Sequence, residues 1–233
     1  MMPPSSRDLR HQDYLDFARK RPELFGPETD AGVRILLDLA DIRAVEDAVA
    51  ADLCRRGLPE EGAEVGIILK DPWILMLRDA VEFPDGARRA YARAMNRTGD
   101  GAAVLPLYEG RIILTRQFRH ALRRWSLEIP RGGIDTGKSA EETAYNEVRE
   151  EIGGEIGELV RIGYLHGSTN LYYNGAHLYL GRLTKVGAPQ LAEAITSLVQ
   201  VTVPEFEQML AREQITDSFT IATFCHARLR GLL

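Results

Sequence analysis

The chain lacks three features that would each assign it to a class of protein. It has only two cysteines, Cys54 and Cys225, too few for a disulfide framework and without the paired spacing of a zinc site. We interpret both as buried thiols in a reducing compartment. No apolar run approaches the length of a membrane span, and charged residues interrupt the amino-terminal stretch where a signal peptide needs continuous apolar residues. These absences predict no membrane partner and a cytoplasmic location.

An excess of basic residues is also missing. The chain of 233 residues has 29 Lys and Arg against 34 Asp and Glu, for a formal net charge of −5. Nucleic-acid backbones are held chiefly by surplus Lys and Arg, and no basic recognition helix is evident, so no nucleic-acid partner is predicted. What is present, 45% hydrophobic and 27% charged residues, is typical of a globular protein with a sizeable core.

The first part of the chain, residues 1–61, is predicted to be a helical extension. Residues 9–20 have an amphipathic pattern, and Asp41 is predicted to cap a second helix that ends at Gly57. Nothing in this part has a catalytic pattern. It is either a separate helical appendage or an extension that packs on the main domain without chemistry of its own.

Residues 62–233 are predicted to form the main domain. Short β-type runs occupy 65–69, 73–77, 88–95, 102–108, 111–118, 159–165, 176–183 and 197–203. Helices are predicted at 139–152, from about 204, and at 217–229. Strands, a helix, more strands and then helices indicate an α+β fold, an α/β/α sandwich around a mixed sheet.

The helix at 139–152 has the pattern with the most chemical information. It places Glu147, Glu150 and Glu151 at i, i+3 and i+4, so the three carboxylates share one strip. Alone, such a strip is most often a solvated face. If the three carboxylates instead lie close together in a cleft, their like charges require a cation, and oxygen ligands of this kind suit Mg²⁺ or Mn²⁺.

The loop before this helix strengthens the metal interpretation. Gly132, Gly133 and Gly137 allow a sharp turn and a close approach of the backbone to a ligand. Amides at the start of the helix are expected to be available to an anion. The sequence therefore predicts a corner that binds a metal and a phosphate group.

Residues 132–154 resemble the Nudix box, in which a glycine, a glutamate, an Arg-Glu pair, a Glu-Glu pair and a second glycine follow at set intervals. Glu147, Glu150 and Glu151 match the metal-binding acids of the family. Lys138 and Asn146 stand where the family has a supporting glutamate and arginine. The resemblance thus retains the metal acids and loses two residues that support them.

The resemblance extends over about 65–233, and this part of the chain is similar to the ADP-ribose pyrophosphatase branch of the family. It is carried by the strings RDAVEFPDG from Arg78, ILTRQFRH from Ile113, WSLEIPRGG from Trp125, HLYLGRL from His177 and ITDSFTIATF from Ile215. It implies that the Arg131 carbonyl joins the metal shell and that Arg119 contacts the phosphates. It also implies a homodimer, formed through the strands of 62–98.

The predicted substrate site combines the resemblance with the residue types. Arg119 and Arg131 are predicted phosphate contacts, because a guanidinium fork matches phosphate oxygens. Gly132, Gly133 and Glu128 complete the predicted substrate-binding set, with Glu128 orienting the metal loop.

Two functions follow from this set. The first is Mg²⁺-dependent hydrolysis of the pyrophosphate in ADP-ribose, or in another nucleotide sugar such as GDP-mannose, to a nucleoside monophosphate and a sugar phosphate. The second is an impaired module that only senses such a compound. Lys138, Asn146 and Asn174 favour the second. Asn174 stands where the branch usually has a glutamate that serves as general base, a role for which Glu150 or Glu193 could substitute.

Overall fold

A computed structural model of the protein describes residues 5–26, 32–189 and 191–233. It divides into two compact units, Met1–Arg97 and Thr98–Leu233. The division therefore falls after Arg97, whereas the sequence prediction placed it after residue 61. The reason is that the strands of 62–97 share one apolar core with the amino-terminal helices, a core that includes Tyr14, Ile42 and Leu77.

The first unit consists of helices and an antiparallel sheet. Its elements are α1 (Ser6–Lys20), β1 (Arg34–Ile35), α2 (Leu39–Arg55), β2 (Gly66–Lys70), β3 (Ile74–Glu82) and β4 (Arg88–Asn96). β3 is the shared strand, since it pairs with each of the other three. The predicted cap of α2 was wrong: Asp38, and not Asp41, accepts the Ala40 and Asp41 amides, at 2.8 and 3.3 Å, so the helix begins earlier.

A buried carboxylate joins the helices of the first unit to its sheet. Glu46 is 4% exposed and accepts hydrogen bonds from Arg7, Arg10 and the amide of Val65, and its Oε2 lies 2.9 Å from His11 Nε2. Burial raises the pKa of Glu46, but these hydrogen bonds outweigh it and lower the pKa to about 2. Glu46 is thus ionised and fully partnered at neutral pH.

The described residues of the second unit form a mixed sheet, three α-helices and a short 3-10 helix at Leu191–Glu193. Its elements are β5 (Gly101–Tyr108), β6 (Arg111–Arg119), β7 (Arg124–Glu128), β8 (Arg131–Gly133), α3 (Ala140–Ile152), β9 (Glu155–His166), β10 (Gly175–Lys185), β11 (Ile195–Val201), α4 (Val203–Ala211) and α5 (Ser218–Leu229). The main strand order is β11-β6-β5-β10-β9, with β7 paired to β6 and β8 to β5. β5 and β10 are parallel and the other pairs are antiparallel.

The two faces of this sheet are covered by different helices. Along β5, Ala103 and Leu105 pack with Phe206 of α4 and Phe224 of α5. The alternate residues of β5 pack with Ala144, Val148 and Ile152 of α3. Because successive residues of a strand point to opposite faces, α3 lies on one face and α4 and α5 lie on the other. The predicted α/β/α sandwich with a mixed sheet is confirmed.

Local signals place α3 where the sequence predicted it. Ser139 and Glu142 form a reciprocal capping box at its start, and Gly153 ends it in the left-handed conformation, with φ 59°. The strand predicted at 197–203 ends instead at Val201, because Thr202 caps α4. Cys54 and Cys225 are free thiols, but both are exposed, so the prediction of buried thiols was wrong. None of the described helices is both long and apolar enough to span a membrane.

Candidate active site

Strand β8 brings the glycine-rich corner against α3. It pairs with β5, with Arg131 opposite Ala103 and Gly132 opposite Ala102. A β-carbon on Gly132 would lie only 2.2 Å from Glu147 Oε1, so the carboxylate rests directly on the glycine backbone. Burial raises the pKa of the Glu151 carboxyl, and the nearby Arg131 amide partly lowers it again. The corner and the helix predicted to act together are therefore in contact.

The three predicted metal acids are not equivalent in the structure. Glu151 is 2% exposed, and its Oε2 has no hydrogen-bond partner among the described residues. Glu147 contacts the corner beside it. Glu150 is exposed and lies 3.2 Å from Arg149 in an ion pair. Within the described ranges, no three His, Cys, Asp or Glu side chains are already arranged as metal ligands.

Rotation of Glu150 toward the other two acids has a small energetic cost. Its partner Arg149 is exposed, with 65% of its side chain accessible, and exposed ion pairs contribute about 0–1 kcal/mol. A divalent cation that attracts Glu150 would therefore compete with a weak interaction. The structure brings Glu147 and Glu151 together, whereas Glu150 is exposed and paired with Arg149.

The electrostatics of the acidic pair suit a bound cation. Burial raises the pKa of Glu147 to about 7, and the charges of Glu193 and Glu150 add to the increase. Burial also raises the pKa of Glu151 to about 8, with Glu147 and Glu193 as further causes. A divalent cation that prefers oxygen ligands would bind the unpartnered buried oxygen of Glu151 and would also relieve the repulsion between the two acids. The donor set therefore fits Mg²⁺ or Mn²⁺.

A fourth acid approaches this pair from the loop before β11. Glu193 raises the pKa of both Glu147 and Glu151 through its negative charge. The backbone carbonyl of Glu193 accepts a hydrogen bond from Gln117 Nε2 at 2.9 Å, which ties the loop to β6. The sequence indicated Glu193 only as one substitute for a missing base.

The two arginines predicted to contact phosphate are held by Glu128. Arg119 Nε lies 3.0 Å from both Glu128 oxygens, and Arg131 Nη2 lies 2.9 Å from Oε2. Glu128 is 2% exposed; burial raises its pKa, but the hydrogen bond from Arg119 and the two positive charges lower it more. Each arginine side chain is 28% exposed. The predicted set is thus assembled, with Glu128 orienting both cations.

The residues that depart from the family pattern have local partners. Lys138 Nζ pairs with Asp135 at 2.8 Å, and Asn146 Oδ1 accepts from Arg149 at 2.8 Å. Asn174 lies immediately before β10. At the start of α3, the capping box already occupies the amides of Ser139 and Glu142, at 2.7 and 3.1 Å, so these two donors are engaged.

Sequence reasoning missed two parts of the site. It did not assign β7 and β8 as strands, although their pairing places the corner beside the sheet. It gave no role to Asp217, whose carboxylate lies 3.3 Å from Arg131 Nη2. The signal for Asp217 was the string ITDSFTIATF, which carried the resemblance without a stated function.

The acidic pair predicts an unusual dependence of stability on pH. The pKa is raised from an ordinary value of 4.5 to about 7 for Glu147 and to about 8 for Glu151 in the folded chain. Between pH 4.5 and these raised values, the folded chain therefore binds more protons than the unfolded chain. This contribution is present below pH 4.5 and is lost as pH rises toward 8. We expect the Tm of metal-free protein to fall between pH 5.5 and pH 8, by about 2–4 °C per kcal/mol lost, and Mg²⁺ to restore more stability at pH 8.

Thermal unfolding by circular dichroism in EDTA and in Mg²⁺ measures this effect. The control is the double variant Glu147→Gln/Glu151→Gln, whose difference between the two pH values should be smaller than that of the wild type. An equal change in both proteins would show that other groups cause it.

Comparison with known proteins gives the family. Residues 97–216, more than half of the chain, match the model of the NUDIX domain. The chain is 27% identical over 157 residues to the ADP-ribose pyrophosphatase of Bacillus subtilis (strain 168), an alignment that covers 66% of this chain and 84% of that protein. It is also 27% identical over 158 residues to the methanol dehydrogenase activator of Bacillus methanolicus, covering 66% and 85% respectively.

A solved structure is similar in fold. The crystal structure of an ADP compounds hydrolase superposes with a TM-score of 0.63 and 20% identity, covering 72% of this chain and 92% of that chain. The matched family model spans the glycine corner, α3 with its acids and the sheet behind them. The chain belongs to the Nudix family.

Proposed function

We propose that this chain is a hydrolase of the pyrophosphate bond in ADP-ribose or a related nucleoside diphosphate sugar, giving a nucleoside monophosphate and a sugar phosphate. Two similar proteins support this substrate class: the Bacillus subtilis relative is named an ADP-ribose pyrophosphatase, and the protein of similar fold is named an ADP compounds hydrolase. The observation that carries the proposal is the pair of a half-buried Glu147 and a buried Glu151 on the glycine corner, with an unpartnered Glu151 oxygen among the described residues.

Mg²⁺, with Mn²⁺ as the other candidate, would be held by Glu147, Glu150, Glu151 and the carbonyl of Arg131. When bound there, such an ion polarises phosphoryl oxygens and lowers the pKa of water.

The remaining residues orient the substrate. Arg119 and Arg131 present cations beside the acidic pair, and Glu128 fixes their planes through hydrogen bonds. A diphosphate that contacts both guanidiniums has part of its negative charge neutralised by them. The absent side chain of Gly132 makes room for the Glu147 carboxylate, and that of Gly133 makes room for the Thr98 hydroxyl.

A sensor of ADP-ribose or a nucleotide sugar is the second candidate function. Lys138 and Asn146 replace two residues that support the metal acids in the family. In this chain Lys138 pairs with Asp135 and Asn146 with Arg149, so neither contacts a metal acid through these bonds. Asn174 replaces the usual base. The similarity to a protein named as a methanol dehydrogenase activator is a further reason to test binding apart from turnover.

Release of AMP from ADP-ribose in the presence of Mg²⁺ separates the two functions. The assay uses purified wild type beside Glu151→Gln, together with a panel that includes GDP-mannose. Turnover that is lost in the variant supports the hydrolase. Binding of ADP-ribose by calorimetry without release of AMP would instead support the sensor.

Glu193 is the proposed substitute for the missing base. Its charge acts on both Glu147 and Glu151, and its loop is anchored by Gln117. Base assistance contributes about 10²–10⁴ in rate, and Glu193→Gln is expected to lower kcat by at least about threefold with little change in KM. A smaller loss in steady-state assays would transfer the role to Glu150, which is tested with Glu150→Gln.

The partners proposed for the chain are this substrate and a second copy of itself. The homodimer through the strands of 62–98 stays a prediction, as do the cytoplasmic location and the absence of a nucleic-acid partner. Sedimentation at micromolar concentration measures the oligomeric state.

A further inference from the structure

The string ITDSFTIATF, residues 215–224, covers the start of α5. The first turn of α5 contacts residues 129–131, which lead into the glycine corner. Asp217 caps the helix: its Oδ2 accepts the Thr220 amide and the Thr220 hydroxyl, both at 2.8 Å. Its other oxygen, Oδ1, lies 3.3 Å from Arg131 Nη2. The Asp217 side chain is only 10% exposed, so this ion pair is shielded from solvent.

Two further contacts attach the same helical turn to the corner. The hydroxyl of Thr220, which is fully buried, accepts the Ile129 amide at 3.1 Å. The guanidinium of Arg131 lies 5.1 Å from the centre of the Phe219 ring. Residues 129 and 131 are thus both held by the first turn of α5. These contacts join distant parts of the chain, since Asp217 follows Arg131 by 86 residues.

This corner segment is also the one that holds the acidic pair. The Gly132 backbone lies directly against the Glu147 carboxylate, and the Arg131 amide is close enough to Glu151 to lower the pKa that burial raises. A shift of residues 129–132 would therefore move both acids relative to each other. Groups that orient metal ligands without touching the metal commonly change its affinity by about 10–100-fold.

We infer that Asp217 and Thr220 are positioning residues, which hold residues 129–132 in the place where Glu147 and Glu151 bind a divalent cation together. This inference rests on the proposed metal-dependent function. It assigns to α5 a role that reaches the site only through the corner, with no contact to substrate.

The first test is Asp217→Asn. Asparagine caps helices about as well as aspartate, so the helix start is retained while the charge opposite Arg131 is removed. We expect the Mn²⁺ concentration that gives half of the maximal Tm increase to rise about 10-fold, with the metal-free Tm nearly unchanged. Thr220→Val, which removes the acceptor of the Ile129 amide, should change the Mn²⁺ requirement in the same direction.

Matched controls separate positioning from stability. Asp38→Asn changes the cap of α2 in the other unit, where the side chain accepts the amides of Ala40 and Asp41. Thr223→Val removes a buried hydroxyl of α5 that donates to the Phe219 carbonyl at 2.6 Å. Neither control should change the Mn²⁺ requirement, even where it lowers the Tm.

The outcomes distinguish the two levels of the proposal. A wild type whose Tm responds to Mn²⁺, with Asp217→Asn and Thr220→Val responding at the same concentration, overturns the positioning role alone. A wild type without any response to Mn²⁺ overturns the proposed metal-dependent function and the positioning role together. A larger Mn²⁺ requirement in both variants, with unchanged controls, supports the inference.

Discussion

Glu151→Gln is expected to lower kcat for the release of AMP from ADP-ribose by about 10²–10⁴-fold. The side chain is 2% exposed, and its Oε2 has no partner within the described part of the chain, so its charge is unbalanced without a cation. Glutamine has the same shape but neither binds a divalent cation as a carboxylate does nor accepts a proton. The measurement is steady-state kinetics over a range of Mg²⁺ concentrations.

The same substitution should not destabilise the metal-free protein. Burial raises the pKa of Glu151 to about 8, which means that the ionised form is disfavoured in the fold, and a neutral amide avoids this cost. At pH 8 in EDTA we expect the Tm of Glu151→Gln to equal or exceed that of the wild type. The control is Glu141→Gln, an exposed acid of the same helix, which should retain full activity. Activity of Glu151→Gln within threefold of the wild type would refute the proposed site.

Gly132→Ala is expected to lower kcat/KM by about 10²-fold. The new β-carbon would lie 2.2 Å from Glu147 Oε1 and 2.5 Å from its Cδ, so the carboxylate must move by close to 1 Å. A displacement of that size at a catalytic group can cost about two orders of magnitude in rate. The Mg²⁺ requirement should rise as well, because Glu147 leaves the position that it shares with Glu151.

A double-mutant cycle shows whether the effect passes through Glu147. In a Glu147→Ala background the clash is absent, so Gly132→Ala should cause little further loss, and the two substitutions should be strongly non-additive. Gly26→Ala is the control for a glycine with room, since the nearest atom among the described residues that its β-carbon would meet is the Pro22 carbonyl oxygen at 3.9 Å. Additive losses would show that Gly132 acts independently of the acid.

The features that the sequence predicted well are those encoded by nearby residues. α3 is an example: Ser139 and Glu142 cap its start, Gly153 ends it, and apolar residues at helical spacing turn one face to the sheet. The same periodicity placed Glu147 and Glu151 on one strip beside that face. The order of strands and helices along the chain likewise predicted the layers of the second unit.

The errors came from choices between locally equivalent alternatives. Asp38 and Asp41 are both acceptable caps, and the side chain that accepts the Ala40 and Asp41 amides is that of Asp38. The boundary after residue 61 followed a change in residue pattern, whereas the unit division follows the shared core of helices and strands. The exposure of Cys54 and Cys225 depends on which helical faces are covered.

The sequence by itself determined the class of fold, the helix that carries the acids and the glycine corner before it, because each depends on spacing within a few residues. Only the tertiary structure decided that Glu150 pairs with Arg149, that Glu128 holds Arg119 and Arg131, and that Asp217 reaches the corner. Such contacts join residues that are far apart in the chain, or select one rotamer among several. They exist only once the sheet register and the helix packing have brought their side chains together.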